Sequence, residues 1–342
     1  MNELRTMILD TADRIFRDKC DQALIDAAEG GAWPAGLWQT VEEAGLAVAA
    51  VPEERGGAGG TIGDGLALLK VAGRYAAPLP LAETFLAGHL LAEAGADVPA
   101  GPLTVAPVRQ GDAFDVPGGK LHGVASKVPW ANQAVGLVVA LPDGVALVDP
   151  ADCRIEPGAG ISGDPRDTVI FDGAAVQVHA LEDAADRLWK LGAVARSVQM
   201  AGALEAILDM TTQYVQDRVQ FGRPIAKFQA VQQSLAVLAG QTAAASAAAE
   251  NAIAAVEAGG GDAQIAVAKA RCGEAAGSAA EISHQAHGAI GFTHEYALHQ
   301  FTRRLWTWRD EFGGEPYWQG QLGRMVAKAG ADNLWAFATK SA

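Results

Sequence analysis

The sequence predicts a mainly α fold in which a small β domain sits between two helical ones. Three observations predict it. Apolar residues recur at helical spacing through residues 1–98 and again from 185 onward. Between these stretches, short β-rich runs are punctuated by Gly, Pro and Asp. Half of the 342 residues are hydrophobic and 19% are charged, a composition that supports two or three packed domains and excludes a disordered chain.

The expected N-terminal helical domain covers 1–98. Met7, Ile8, Ala12, Ile15 and Phe16 repeat at helical spacing, and Trp38, Val41 and Leu46 form a second stripe. Val51 to Gly60 is a loop by its Gly content, and Thr61–Arg74 and Leu81–Ala94 supply two further helices. The expected β domain covers 99–182. Its runs are Leu103–Ala106, Gly136–Leu141, Val145–Val148 and Thr168–Phe171. The expected C-terminal bundle covers 183–342. Leu188–Val219 is one long apolar-periodic segment, and an alanine-rich one runs from Ala226 to Ala258. Its small side chains suit close helix packing. Gly259 to Gly261 end that helix and Asp262 is placed to cap a third, which runs to His284. A fourth spans Tyr296–Trp308 and a fifth runs from Pro316 toward the end.

Charge and cysteine usage narrow the function classes. A net charge of −14 argues against nucleic acid and against anionic membrane surfaces. Cys20, Cys153 and Cys272 lie far apart, with neither metal-ligand nor redox spacing, and read as thiols in a reducing compartment. With no basic-apolar signal segment and no uninterrupted run of 18 apolar residues, the expected location is cytoplasmic.

Two stretches carry chemistry. Between the first two C-terminal helices, Gly222 and Pro224 break the helix and leave Arg218, Phe221, Phe228 and Gln229 at a corner. An arginine there can fork onto phosphate, a phenylalanine offers a flat apolar face, and a glutamine can donate and accept at a heterocycle edge. A solvated helix–helix turn is the plainer alternative. The second stretch, Gln285 to Phe292, places Gly288 and Gly291 between helices, where backbone can approach a phosphate or ring. His284 and His287 are three apart but lack a third metal ligand in sequence reach, so no metal is expected there.

The wording of these stretches is that of a family. Arg218-x-x-Phe221-Gly-x-Pro-Ile-x-x-Phe228-Gln229-x-x-Gln232 resembles the helix–helix corner of the acyl-CoA dehydrogenases. Gln285-Ala-His-Gly-Ala-Ile-Gly-Phe292 resembles their Gln-x-x-Gly-Gly-x-Gly-Phe turn, with Ala289 in place of the second glycine. Leu37-Trp-x-x-Val-Glu-Glu-Ala-Gly-Leu46 and Val51-Pro-Glu-Glu-x-Gly-Gly-x-Gly59 resemble the family's N-terminal domain. The resemblance implies FAD as cofactor, an acyl-CoA substrate dehydrogenated at its α and β carbons, and electron-transfer flavoprotein as acceptor. It places Arg218, Phe221, Phe228 and Gln229 on the FAD of a neighbouring subunit, and Gln285, Ala286, His287, Gly288 and Ala289 under the pyrophosphate and adenosine. By position, Lys127, Val128 and Pro129 lie along the isoalloxazine.

The family's base is the weak point. One family position falls 26 residues before Arg218, which is Gly192. The other, counted without gaps from Arg303, is Phe312; a one-residue slip gives Glu311, the candidate base, with Asp310 and Glu315 nearby. Acids that merely solvate a turn are the competing reading. The family's Thr-Glu-x-x-x-Gly-Ser-Asp segment is replaced by Gln110-Gly-Asp-Ala-Phe114, and the β domain is short. This pattern resembles the shortened subunits of heteromeric dehydrogenases acting on steroid side-chain CoA thioesters. The expectation is thus a dehydrogenase, as a homodimer, tetramer or heterotetramer, or the subunit that completes a partner's FAD site. A non-catalytic structural subunit and a flavin oxidase are the alternatives.

Overall fold

The computed structural model describes residues 3–339. Five helices come first: α1 (Glu3–Lys19), α2 (Gln22–Glu29), α3 (Ala35–Glu43), α4 (Ile62–Arg74) and α5 (Leu81–Glu93). On α1 the predicted stripe is inward except for Met7, which is 60% exposed. Thr61 caps α4 in a reciprocal capping box with Asp64, satisfying two otherwise orphan donors.

Eight strands follow: β1 (Leu103–Ala106), β2 (Ala113–Asp115), β3 (Lys120–Pro129), β4 (Gly136–Leu141), β5 (Gly144–Val148), β6 (Arg154–Glu156), β7 (Arg166–Ala175) and β8 (Val178–Ala180). They form two four-stranded sheets, ordered β1-β4-β5-β8 and β2-β3-β7-β6. Sequence reading missed β2, β3, β6 and β8, which are short or broken by glycine and charge. Strand β4 shows why the middle run is apolar throughout. Leu137, Val139 and Leu141 join a core between the sheets, whereas Val138 and Ala140 join the helical core. A strand buried on both faces loses the usual alternation.

The remaining helices are α6 (Ala184–Asp217), α7 (Gln229–Glu257), α8 (Asp262–His287), α9 (Leu298–Asp310), α10 (Glu315–Ala329) and α11 (Leu334–Thr339). A two-residue hairpin, β9 (Val219–Gln220) with β10 (Arg223–Pro224), separates α6 from α7. By length and composition α6 would span a membrane, but 83% of its apolar window is buried inside the protein, which makes it a core helix. Most of these helix boundaries shift by two to four residues from expectation, and three differences have a local cause. Helix α7 starts at Gln229 rather than Ala226, because Phe228 is extended after a 3-10 turn. Gly261, at φ 111°, is the residue before α8, and Asp262 lies in its first turn, paired with Lys190 at 2.8 Å. The last helix stops at Gly330, whose φ of 80° favours glycine, before α11 begins. The expected run to the end reaches residues 340–342, outside the described residues.

Buried side chains of the N- and C-terminal helices form one continuous cluster, and the sheets share the other. The two helical domains therefore lock together, and the sheet domain leans on them through β1, β4 and β5.

Candidate active-site corner and cofactor-anchor face

The two family positions for a base, far apart in sequence, meet in space. A Cβ built on Gly192 of α6 would lie 2.5 Å from the Phe312 ring. Neither position offers a carboxylate, and the phenyl ring occupies the space a side chain at 192 would need. Phe312 has no solvent exposure and packs edge-on to Trp189 at 6.0 Å. Its backbone sits at φ 53°, a strained region for a bulky residue, and is held there from three sides. The Phe312 N–H donates to the Val108 carbonyl at 3.1 Å, and the Trp318 indole N–H donates to the Phe312 carbonyl at 2.9 Å. Lys269 Nζ donates to the Arg309 and Gly313 carbonyls at 2.7 and 2.8 Å. Burial pulls that ammonium down to about 8, although Glu315 and Glu311 oppose it.

Glu311, the expected base, does not have a free oxygen. Arg166 Nε donates to Oε1 at 2.5 Å, and Arg196 Nε donates to Oε2 at 2.6 Å. Arg196 also donates to Gln199 Oε1 at 2.6 Å and to Glu83 Oε1. Burial pushes the Glu311 carboxyl up, but Arg166 and Arg196 outweigh it and hold it below the usual carboxylate range. A base needs an accessible oxygen within reach of the proton it takes. In this structure Glu311, expected as the candidate base, is the centre of a buried ion-pair network with neither oxygen free. Asp310 is solvated, and Glu315 is paired with Arg309 at 2.5 Å. The sequence did hold a hint: Arg196 is the lone charge within an apolar stretch from Leu191 to Leu204. A charge so placed on a core helix needs a buried partner.

The cofactor-anchor residues are arranged oppositely. Phe221 and Gly222 form the tip of the β9–β10 hairpin, both at positive φ (52° and 79°), as a two-residue hairpin turn demands. This leaves the Phe221 ring 90% exposed. It meets Phe228 edge-on at 6.1 Å, and the Arg223 guanidinium covers the Phe228 ring at 4.3 Å. Phe221, Phe228, Gln285 and Ala286 line one groove of about 320 Å³, with Val231, Leu235 and Ile282 as its apolar floor. Arg218 and Gln229 lie exposed beside it, and the Arg218 guanidinium has no side-chain partner among the described residues. A free guanidinium, aromatic faces and an amide beside a groove fit a dinucleotide's phosphate and ring chemistry.

Three of the expected contact residues turn their side chains inward, His287 by the packing that was one of its two expected fates. The His287 ring is buried, stacked on Tyr214 at 4.2 Å, with Nδ1 bonded to the Ser283 carbonyl at 2.7 Å. It packs beneath the turn, while Gly288 and Ala289 stay exposed above it. Burial also lowers the pKa of His287, against the pull of that carbonyl. Val128 and Pro129 are covered by the sheet core, and the Pro129 carbonyl already accepts from Thr104 Oγ1 at 2.5 Å. Their side chains offer no surface to a flavin ring; only Lys127 of that trio is exposed, at a bulge with φ 59°.

Two helical domains locked around a small double sheet, with a glycine turn after α8 and a hairpin before α7, define the acyl-CoA dehydrogenase fold, the scaffold of a class of oxidoreductases. Family models for the acyl-CoA dehydrogenase N-terminal domain and C-terminal domain match residues 2–98 and 184–314. The chain belongs to the acyl-CoA dehydrogenase family. It is 30% identical over 323 residues to acyl-CoA dehydrogenase IpdE2 of Mycobacterium tuberculosis, covering 88% of this chain and 91% of the relative. Identity to IpdE2 of Mycolicibacterium smegmatis is 28% over 309 residues, covering 89% and 93%. Among solved structures, a chain of the Tcur3481-Tcur3483 steroid ACAD G363A variant superposes with a TM-score of 0.86 at 28% identity, covering 95% of this chain and 98% of that one. A chain of the ChsE4-ChsE5 complex from Mycobacterium tuberculosis gives 0.89 at 24% identity, covering 97% and 99%.

Proposed function

We propose that this chain is the site-completing subunit of a heteromeric, FAD-dependent acyl-CoA dehydrogenase. It lends Arg218, Phe221, Phe228, Gln229 and the turn at 285–291 to a flavin whose ring and catalytic base belong to another chain. The observation that carries this reading is the Phe312 ring seated against Gly192, where the family keeps its carboxylate, while the anchor face stays open. In the bound state FAD would take up the hydride leaving the substrate's β carbon. This chain's part is recognition: Arg218 would meet phosphate, Phe221 and Phe228 would flank a ring, and Gln229 and Gln285 would bond its edges. The α-proton falls to the partner, because Glu311 is committed to Arg166 and Arg196. The Tcur3481-Tcur3483 and ChsE4-ChsE5 structures are named for paired chains, and the first for a steroid enzyme, which supports a second gene product and a bulky acyl-CoA. Electron-transfer flavoprotein as acceptor and a cytoplasmic location belong to the same proposal.

The test counts flavin. We expect the chain alone to hold well below one FAD and to dehydrogenate no acyl-CoA. The complex isolated from the native host should hold about one FAD per chain pair, lost on Arg218→Ala. Full loading and turnover by the chain alone would overturn the proposal, as would a complex indifferent to Arg218→Ala.

A further inference from the structure

Away from the flavin face, Asp26 of α2 and two histidines before and within the first turn of α9, His294 and His299, converge. Their candidate ligand atoms all lie within 4.8 Å of one another. The cluster has three properties of a cation site. First, His299 is buried, and its Nδ1 is bonded to the Tyr296 carbonyl at 2.9 Å, while Nε2 has no hydrogen-bond partner. A carbonyl acceptor at Nδ1 fixes the proton there and leaves the Nε2 lone pair free, which is how metal-ligating histidines are oriented. Second, Asp26 forms no ion pair among the described residues and is oriented instead by Gln300 Nε2, donating to Oδ1 at 2.8 Å. The nearby cations do not compete for it, because Arg303 and Arg304 are both paired with Glu29, and Arg304 also with Asp164 at 2.9 Å. Third, the loop carrying His294 is tied to the same helix by Gln22, whose amide donates to the His294 carbonyl.

We propose that Asp26, His294 and His299 bind one divalent cation of the Zn²⁺ type. Two imidazoles and one carboxylate are a borderline donor set that suits zinc in a tetrahedron with one open position. Ligands about 2.1 Å from zinc stand roughly 3.4 Å apart, so the cluster must close by about an ångström. His294, exposed on its loop, supplies that movement. The ion would clip the segment between the anchor turn and α9 onto the N-terminal domain. This inference does not depend on the flavin reading.

The experiment uses the full chain stripped with a chelator and then dialysed against Zn²⁺ alone, with bound metal counted. One ion per chain is expected, with Asp26→Asn and His294→Ala each weakening binding by at least about tenfold, the scale on which even outer-sphere contacts matter. Asparagine keeps the Gln300 bond and His294 is exposed, so both variants should fold. Co²⁺ substitution should give the visible d–d absorption of a four-coordinate site. No bound zinc above the blank, or binding unchanged in both variants, would overturn the proposal.

Discussion

Two regions that the family uses for one reaction have opposite characters in this molecule. The corner around Phe312 is filled and closely bonded: Glu311, Arg166, Arg196, Glu83 and Lys269 answer one another or backbone within the chain, and only the Trp189 indole N–H there is left without a partner among the described residues. The face around Phe221 is open: the Arg218 guanidinium has no side-chain partner among the described residues, and the Phe221 ring meets Phe228 edge-on in solvent. A corner that stabilises itself has been given over to folding. A face that leaves a bulky residue at positive φ in solvent carries a cost that only something outside the chain can offset.

The largest way to break this comparison is Glu311→Gln. Removing the charge between Arg166 and Arg196 leaves buried Arg166 without a carboxylate among the described residues and Arg196 with Glu83 alone, and denaturant titration should show a loss of about 3–5 kcal/mol. If Glu311 were instead a base, the variant would stay folded and the partnered complex would lose turnover. We expect the reverse, with turnover per bound flavin nearly unchanged.

A smaller effect comes from Lys269. Its folded pKa is lowered to about 8, so between that value and the unfolded value of 10.5 the unfolded chain holds a proton that the folded chain does not. Stability should therefore rise with pH through this window, by on the order of 2 kcal/mol from pH 8 to 10. Lys269→Met should abolish the rise. A rise that persists in the variant would mean that the 309–313 turn is not fastened by this amine.

The smallest stability change belongs to the open face. Phe221→Ala should move the unfolding midpoint by no more than about 0.5 kcal/mol, since it removes exposed contacts only. A larger loss would show that the ring stabilises the chain itself and would blur the contrast.

Much of the architecture was legible because helical periodicity is strong wherever one face is buried, as on α1 and α4. The double-sided burial of β4 read as an apolar run, but β2, β6 and β8 are three-residue strands that exist through their neighbours rather than their own pattern. At the site, the stretches at 218–232 and 285–292 were legible as family words in order. The Gly192–Phe312 contact was not, because a space filled from 120 residues away leaves no local trace. The ion pairs of Glu311 were illegible for the same reason: Arg166 and Arg196 come to it from β7 and α6, and no sequence spacing announces them.

One feature of α6 sets a geometry for any assembly. Gly192 lies two turns inside the start of this single rod and Arg218 follows its last residue, so the 26 residues between them measure about 39 Å. The helix acts as a ruler that holds a chain's Arg218 end away from its own Phe312 corner. Under the proposed function, centres would be counted by pairs of chains, and an assembly with an odd number of them would carry a half-site with nothing to complete it.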